Sequence, residues 1–222
     1  GGCRDDVLVY RVKDSEYLMV CNGANRVKIL AHIEDNRSEY VCSMKDETDS
    51  TAMIAVQGPQ VMSLLSTVSS ELPALKRYRF TTKNLFFAKI MISRTGYTGE
   101  DGVEVILPTK FAQKAIDLMF QQGNAASVVL PTGLGARDSL RLEAGMPLYG
   151  HELTEEIDPL SVGLHFAVKL DKGVDDNEAE PFIGQEALRT IAETGSKKHL
   201  VGLKLDGRRS PRQHMKVFSN GN

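Results

Sequence analysis

Two rhythms of apolar residues run along this chain. VLVYRV (7–12) and YLMVCN (17–22) alternate apolar and polar positions about a DSE turn, which predicts a pair of strands. NRVKILAHIEDN (25–36) then changes period, with Val27, Ile29, Leu30 and Ile33 on one helical stripe and Asn25 placed to cap it. YVCSMKD (40–46) and TAMIAVQG (51–58) return to strand character. PQVMSLLSTVSSEL (59–72) predicts a helix with Pro59 in its first turn, where a missing N–H costs nothing. Residues 85–93 and 102–107 predict two strands around a glycine-rich turn. TKFAQKAIDLMFQQG (109–123) predicts a helix stopped by Gly123. Further helices are expected over 133–144 and within FIGQEALRTIAET (182–194). HLVGLKLDG (199–207) and KVFSNGN (216–222) read as strands, the second ending in the hairpin dipeptide Asn220-Gly221. Strands and helices alternate irregularly, and several strands are joined by short links. That favours an α+β fold of antiparallel sheets with packed helices over a doubly wound parallel sheet.

Composition narrows the function classes. Of 222 residues, 41% are hydrophobic and 25% charged, and the net charge is -2. These are the proportions of a globular protein with a sizeable core. There is no basic stripe for nucleic acid, and Lys197-Lys198 and Arg208-Arg209 read as solvated spots. No apolar run is long enough to span a membrane as a helix. Cys3, Cys21 and Cys42 are odd in number and form no Cys-x-x-Cys, so neither a disulfide framework nor a zinc knuckle is expected. The five histidines, at 32, 151, 165, 199 and 214, have no metal-ligand spacing and read as ordinary surface or core residues.

Candidate chemistry is confined to a few stretches. Gly133-Leu134-Gly135 opens a helix, but Asp138 stands where a dinucleotide loop needs a third glycine, so a tight strand-to-helix turn is expected. Arg137 and Arg141 share a helix face. Either they make structural ion pairs with acids such as Asp138, or one offers its fork to a carboxylate or heteroaromatic ligand. Of Asp5 and Asp6, which alternate faces, only one can point into a cavity. In SRTGYTGEDGVEVILP (93–108), Glu100 and Asp101 are expected to be solvated turn acids. Glu104 faces opposite Val103, Val105 and Leu107. It is either a solvent-facing acid or the acceptor for an N–C–N edge such as that of a pterin.

The ordered set IAVQGP (54–59), SRTGYTGEDGVEV, GLGARDSLRLEAGMPLYGHEL and FIGQEAL carries a resemblance. With Gly1-Gly2-x-x-Asp5-Asp6 and VCNGAN, it resembles the folate-binding family of the glycine cleavage T-protein, the aminomethyltransferases. The resemblance implies transfer of the methylene carbon from aminomethyl-lipoyl H-protein to tetrahydrofolate, with release of ammonia. Folate-binding scaffold members and folate-dependent demethylases are the alternatives within the family. It implies Asp5 as the catalytic acid, and Glu104 and Arg137 as pterin and ligand contacts. Tyr97, Asn22 and Val20 fall in pocket segments. The expected partners are lipoylated H-protein and tetrahydrofolate, with no metal, nucleic acid or membrane. The expected location is bacterial cytoplasm or, in a eukaryote, the mitochondrial matrix. The resemblance further implies that the family's N-terminal segment and most of its C-terminal β-barrel domain are not in this sequence. The expected organisation is a folate-binding core of two intertwined lobes over 1–175, a connector and short helix over 176–194, and the start of a barrel over 195–222.

Overall fold

The computed structural model describes residues 1–67, 69–85, 88–121, 129–173, 180–196, 198–207, 211–212 and 215–218. Features expected at Gly123, Lys197, Arg208-Arg209, His214 and Asn220-Gly221, and part of the 176–184 connector, lie outside those residues.

Strands β1 (Leu8–Lys13) and β2 (Glu16–Val20) form the expected antiparallel hairpin, with Val9 opposite Met19 and Tyr10 opposite Leu18. Tyr10 is buried, whereas Val9, Tyr17 and Met19 are exposed. Helix α1 (Arg26–Asn36) follows. Asn25 does not cap it, contrary to expectation. Its backbone is already helical, and its amide Nδ2 donates instead to Asp5 Oδ1 at 2.6 Å.

The strand expected over 40–46 does not form. Those residues pair with no strand among the described residues; turn bonds from the Tyr40 N–H to the Arg37 carbonyl and from the Cys42 N–H to the Tyr40 carbonyl, and side chains, take the place of a ladder. Arg37 Nη1 donates to the Cys42 carbonyl at 3.1 Å. Asp46 accepts the Thr48 N–H at 3.0 Å and the Arg26 Nε–H at 2.7 Å. Those hydrogen bonds, Thr48 foremost, hold the Asp46 carboxyl at a pKa of about 2.

Four strands make the main sheet: β3 (Thr51–Gln57), β4 (Phe80–Leu85), β5 (Ala88–Ser93) and β6 (Gly102–Pro108), in the order β3-β6-β5-β4. Every pairing is antiparallel. The single strand expected over 85–93 is therefore two. Leu85 ends β4, a strand that the β-branched Thr81-Thr82 pair could have signalled.

The core lies on one face of this sheet, where Leu72, Ile90, Ile92, Val103 and Leu107 pack together. Helices α2 (Val61–Ser66) and α3 (Ala112–Gln121) cover that face through Met62, Leu65 and Ala115. Helix α2 is shorter than the 59–72 expected. Ser66 Oγ and Thr67 Oγ1 donate back to the carbonyls of Ser63 and Leu64, and such bonds compete with helix propagation.

On the opposite face, Ala55, Glu104, Ser93 and Phe80 stand in one row across β3, β6, β5 and β4. Directly opposed residues share a face, so Glu104 does lie away from the valines. Tyr10 of the hairpin meets this row edge-on at Phe80, with ring centroids 5.6 Å apart.

Helices α4 (Leu134–Glu143) and α5 (Gln185–Thr194) complete the regular elements among the described residues. The strands expected over 199–207 and from 216 are absent from those residues. Leu200, Val201 and Leu203 are exposed, and no strand edge accepts them.

Candidate functional site

The glycine-rich turn is held from below by β3. Gln57 Nε2 donates to the carbonyls of Thr95 at 3.1 Å and Val103 at 3.0 Å, bridging the two ends of the loop. A Cβ on Gly96 would lie 1.9 Å from Gln57 Oε1, and one on Gly102 would lie 2.2 Å from it. IAVQGP and the glycine loop are thus one device: the glutamine needs both glycines bare. Gly96→Ala is expected to lower stability by roughly 1–3 kcal/mol through overpacking. Thermal unfolding measures this, and an unchanged midpoint would refute the clamp.

Two further contacts seat the loop. Gly99 has φ 78°, and a Cβ there would come within 2.6 Å of Ala144 Cβ, just past the end of α4. Asp101, expected to be solvated, is instead gripped by Arg94, with Nε–Oδ1 at 3.0 Å and Nη2–Oδ2 at 2.5 Å. The same arginine donates to the carbonyls of Pro73 and Leu75, so it ties the loop to the segment before β4. The hydrogen bonds from Arg94 hold the Asp101 carboxyl below its usual range. Glu100 is exposed, as expected.

The loop presents Tyr97 to α4. Its hydroxyl donates to the Pro147 carbonyl at 2.5 Å, and the Arg137 guanidinium lies over its ring, 4.4 Å from the centroid. The two arginines of α4 therefore divide the roles that spacing left open. Arg141 is only 5% exposed and pairs with Asp138 and Glu152, at 2.8 and 2.9 Å. Arg137 is exposed and has no ion pair among the described residues.

The acidic pair near the N-terminus does not alternate as in a strand: Asn22 Nδ2 reaches both carboxylates, and they differ in their other partners. The Asp5 carboxylate is engaged by three donors: the Asn22 N–H at 3.0 Å, Asn22 Nδ2 at 2.7 Å and Asn25 Nδ2 at 2.6 Å. Asp6 takes one hydrogen bond from Asn22 Nδ2 at 2.8 Å. Burial pushes its pKa up, and the nearby Asp5 charge adds to this; the Asn22 hydrogen bond and the Arg137 charge oppose it. Asp6 is exposed as a residue, so this desolvation is local to the carboxyl. Tyr97 also feels the Asp6 and Arg137 charges, although burial dominates its upward shift. Asp6, Arg137 and Tyr97 therefore form one electrostatic neighbourhood. Val20 ends β2 opposite Leu8, two residues before Asn22.

Glu104 is half-buried, and its Oε2 accepts a short hydrogen bond from Thr95 Oγ1. Its second oxygen has no partner among the described residues.

This arrangement coincides with a known sequence pattern. The model of the GCVT N-terminal domain matches residues 1–172. The chain belongs to that family. Among curated relatives, an aminomethyltransferase of Rubrobacter xylanophilus is 44% identical over the whole chain, which spans 56% of that relative. One of Saccharopolyspora erythraea is 40% identical, and the chain again aligns in full but spans 59% of the relative. A crystal structure of glycine cleavage system aminomethyltransferase T from Bartonella henselae superposes with a TM-score of 0.71 at 29% identity. That match covers 87% of this chain and 50% of the other.

Within this GCVT N-terminal domain, the surroundings of Glu104, Arg137, Tyr97 and Asn22 were not legible in the sequence. Gln57, Thr95 and Asn25 act through contacts between distant segments, which no local pattern encodes. Asp5, expected as the catalytic aspartate, is engaged by Asn22 and Asn25, whereas the Asp6 carboxylate takes one hydrogen bond from Asn22. Among the described residues no cluster of three His, Cys, Asp or Glu could hold a metal ion.

Proposed function

We propose that this chain carries the folate-binding core of a tetrahydrofolate-dependent aminomethyltransferase of glycine cleavage. The observation that carries the reading is the Arg137 guanidinium stacked on Tyr97 with the Asp6 carboxylate in the same field. It brings a cation, an aromatic face and an acid whose pKa is raised by burial into one neighbourhood, which suits a heteroaromatic substrate.

The residues present fit tetrahydrofolate by their donor and acceptor chemistry. Glu104 offers a carboxylate with one oxygen unpartnered among the described residues, which suits the N–C–N edge of the pterin. Arg137 offers a planar fork and remains available because Arg141 takes the structural ion pairs. When bound, the folate supplies the nitrogens that receive the one-carbon unit. Asp6 stabilises positive charge developing on the transferred aminomethyl carbon and orients the receiving amine. In this reading Asp6 meets the ligand, while Asp5 fixes the 22–25 turn through Asn22 and Asn25. Lipoylated H-protein is the donor, and ammonia leaves.

Titration of the chain with tetrahydrofolate by calorimetry tests the reading. Saturable binding is expected, weakened about tenfold or more in Glu104→Ala, because a charged hydrogen-bond pair is lost. Equal affinity in the two proteins would sink the assignment of Glu104. Binding without transfer from aminomethylated H-protein would favour a folate-binding member that does no chemistry.

A further inference from the structure

Beneath Glu104 lies a hydroxyl cluster that the proposed function leaves unused. Thr95 Oγ1 is within hydrogen-bond reach of three groups: Glu104 Oε2, Ser93 Oγ at 3.0 Å and Tyr10 Oη at 3.5 Å. Thr95 is 8% exposed, Ser93 0% and Tyr10 6%, so bulk solvent has little access to these groups. They come from three places. Tyr10 belongs to the hairpin, Ser93 ends β5, and Thr95 opens the glycine loop. Gln57 fixes the Thr95 backbone by binding its carbonyl.

The proton count in this cluster is constrained. An ionised carboxylate only accepts, so the single Thr95 proton goes to Glu104. The Thr95 oxygen then has lone pairs left only to accept, and Ser93 and Tyr10 must be the donors to it. Every hydroxyl therefore points toward Glu104, and the polarisation of each bond strengthens the next. A carboxylate pinned in this way is held as an acceptor with its free oxygen at a fixed orientation.

We propose that Thr95 is a positioning residue, which with Ser93 and Tyr10 holds the Glu104 carboxylate in the orientation that presents its other oxygen to the N–H donors of a ligand. The proposal rests on the assignment of Glu104 to the pterin edge. It adds a source of orientation: Thr95 holds one oxygen of Glu104 while the other faces the ligand.

The test compares Thr95→Val, Thr95→Ser and wild type in tetrahydrofolate binding and in thermal unfolding at neutral pH. Valine keeps the shape and removes the donor; serine keeps the donor. Thr95→Val is expected to weaken binding about tenfold, the cost of one hydrogen bond to a charged group. Thr95→Ser should restore the affinity. A merely structural threonine would lower the unfolding temperature without separating the affinities of the two variants, and that result overturns the proposal. Equal affinity in Thr95→Val and wild type, with wild type binding normally, overturns the positioning role alone. Failure of wild type to bind tetrahydrofolate overturns the functional reading and this proposal with it.

Discussion

Asp6→Asn is expected to reduce aminomethyl transfer to tetrahydrofolate by roughly a hundredfold or more, the scale of losing a placed charge or proton-handling group. Folding should not suffer. Burial raises the Asp6 pKa, so at neutral pH the folded state holds a charge it would rather neutralise. The linkage sign follows: the folded form binds the proton more tightly than the unfolded form. Asp6 therefore costs no stability below its unfolded pKa, near 3.8, and its penalty grows as pH rises through the raised folded value. Asparagine removes that penalty and should leave the unfolding midpoint unchanged or slightly higher at pH 7. Asp5→Asn should behave in the opposite way. It places an amide against the donors of Asn22 and Asn25, so the midpoint falls and activity falls with it. Measuring rate and thermal midpoint for both variants separates the roles. Full transfer by Asp6→Asn would return the catalytic assignment to Asp5.

Arg141→Ala is expected to have the largest effect on stability. The arginine is buried, and its guanidinium holds Glu152 and donates to the Met146 carbonyl at 3.2 Å. Glu152 in turn accepts the Leu148 N–H at 3.0 Å. Burial alone would lower the Arg141 pKa, but Asp138 and Glu152 outweigh it and the group stays charged. Removing the cation strands a largely buried carboxylate. Breaking a buried pair from one side costs about 3 kcal/mol, which for a chain of this size lowers the midpoint by roughly 6–12 °C. The Asp138 side is exposed and adds little. The released segment also carries the Pro147 carbonyl that receives the Tyr97 hydroxyl, so folate affinity should fall with stability. Thermal unfolding by circular dichroism checks the first effect. A shift below about 2 °C would mean that the pair contributes little.

Local pattern made the hairpin, α1, β3, β6, α3, α4 and α5 legible, because each has a clean period of its own. It failed where pairing decides the outcome. Residues 40–46 have strand-like composition but no edge to join. Residues 80–85 are polar enough to pass for loop, yet form an edge strand because β5 offers them a partner. The site followed the same division. The face of Glu104 could be read from alternation within one strand. The coupling of Gln57 to Gly96 and Gly102, and of Arg94 to Asp101, could not, because each joins side chains from different elements. Asp101 looked like any turn acid until the arginine seven residues earlier proved to face it.

The first residues of the chain run close beneath another segment. A Cβ on Gly2 would lie 1.8 Å from the Glu155 carbonyl oxygen, and the Cys3 N–H donates to the Thr154 carbonyl at 2.8 Å. That contact closes a loop of roughly 150 residues, whose entropy must be lost before Asp6 can meet Arg137. In the proposed reading, a ligand touching both acts as a non-covalent cross-link between the N-terminal segment and α4. It recognises only the closed arrangement, so it stabilises the fold by an amount that grows with the logarithm of its concentration above the dissociation constant. A weakened site and a weakened fold then share one remedy, a higher concentration of ligand.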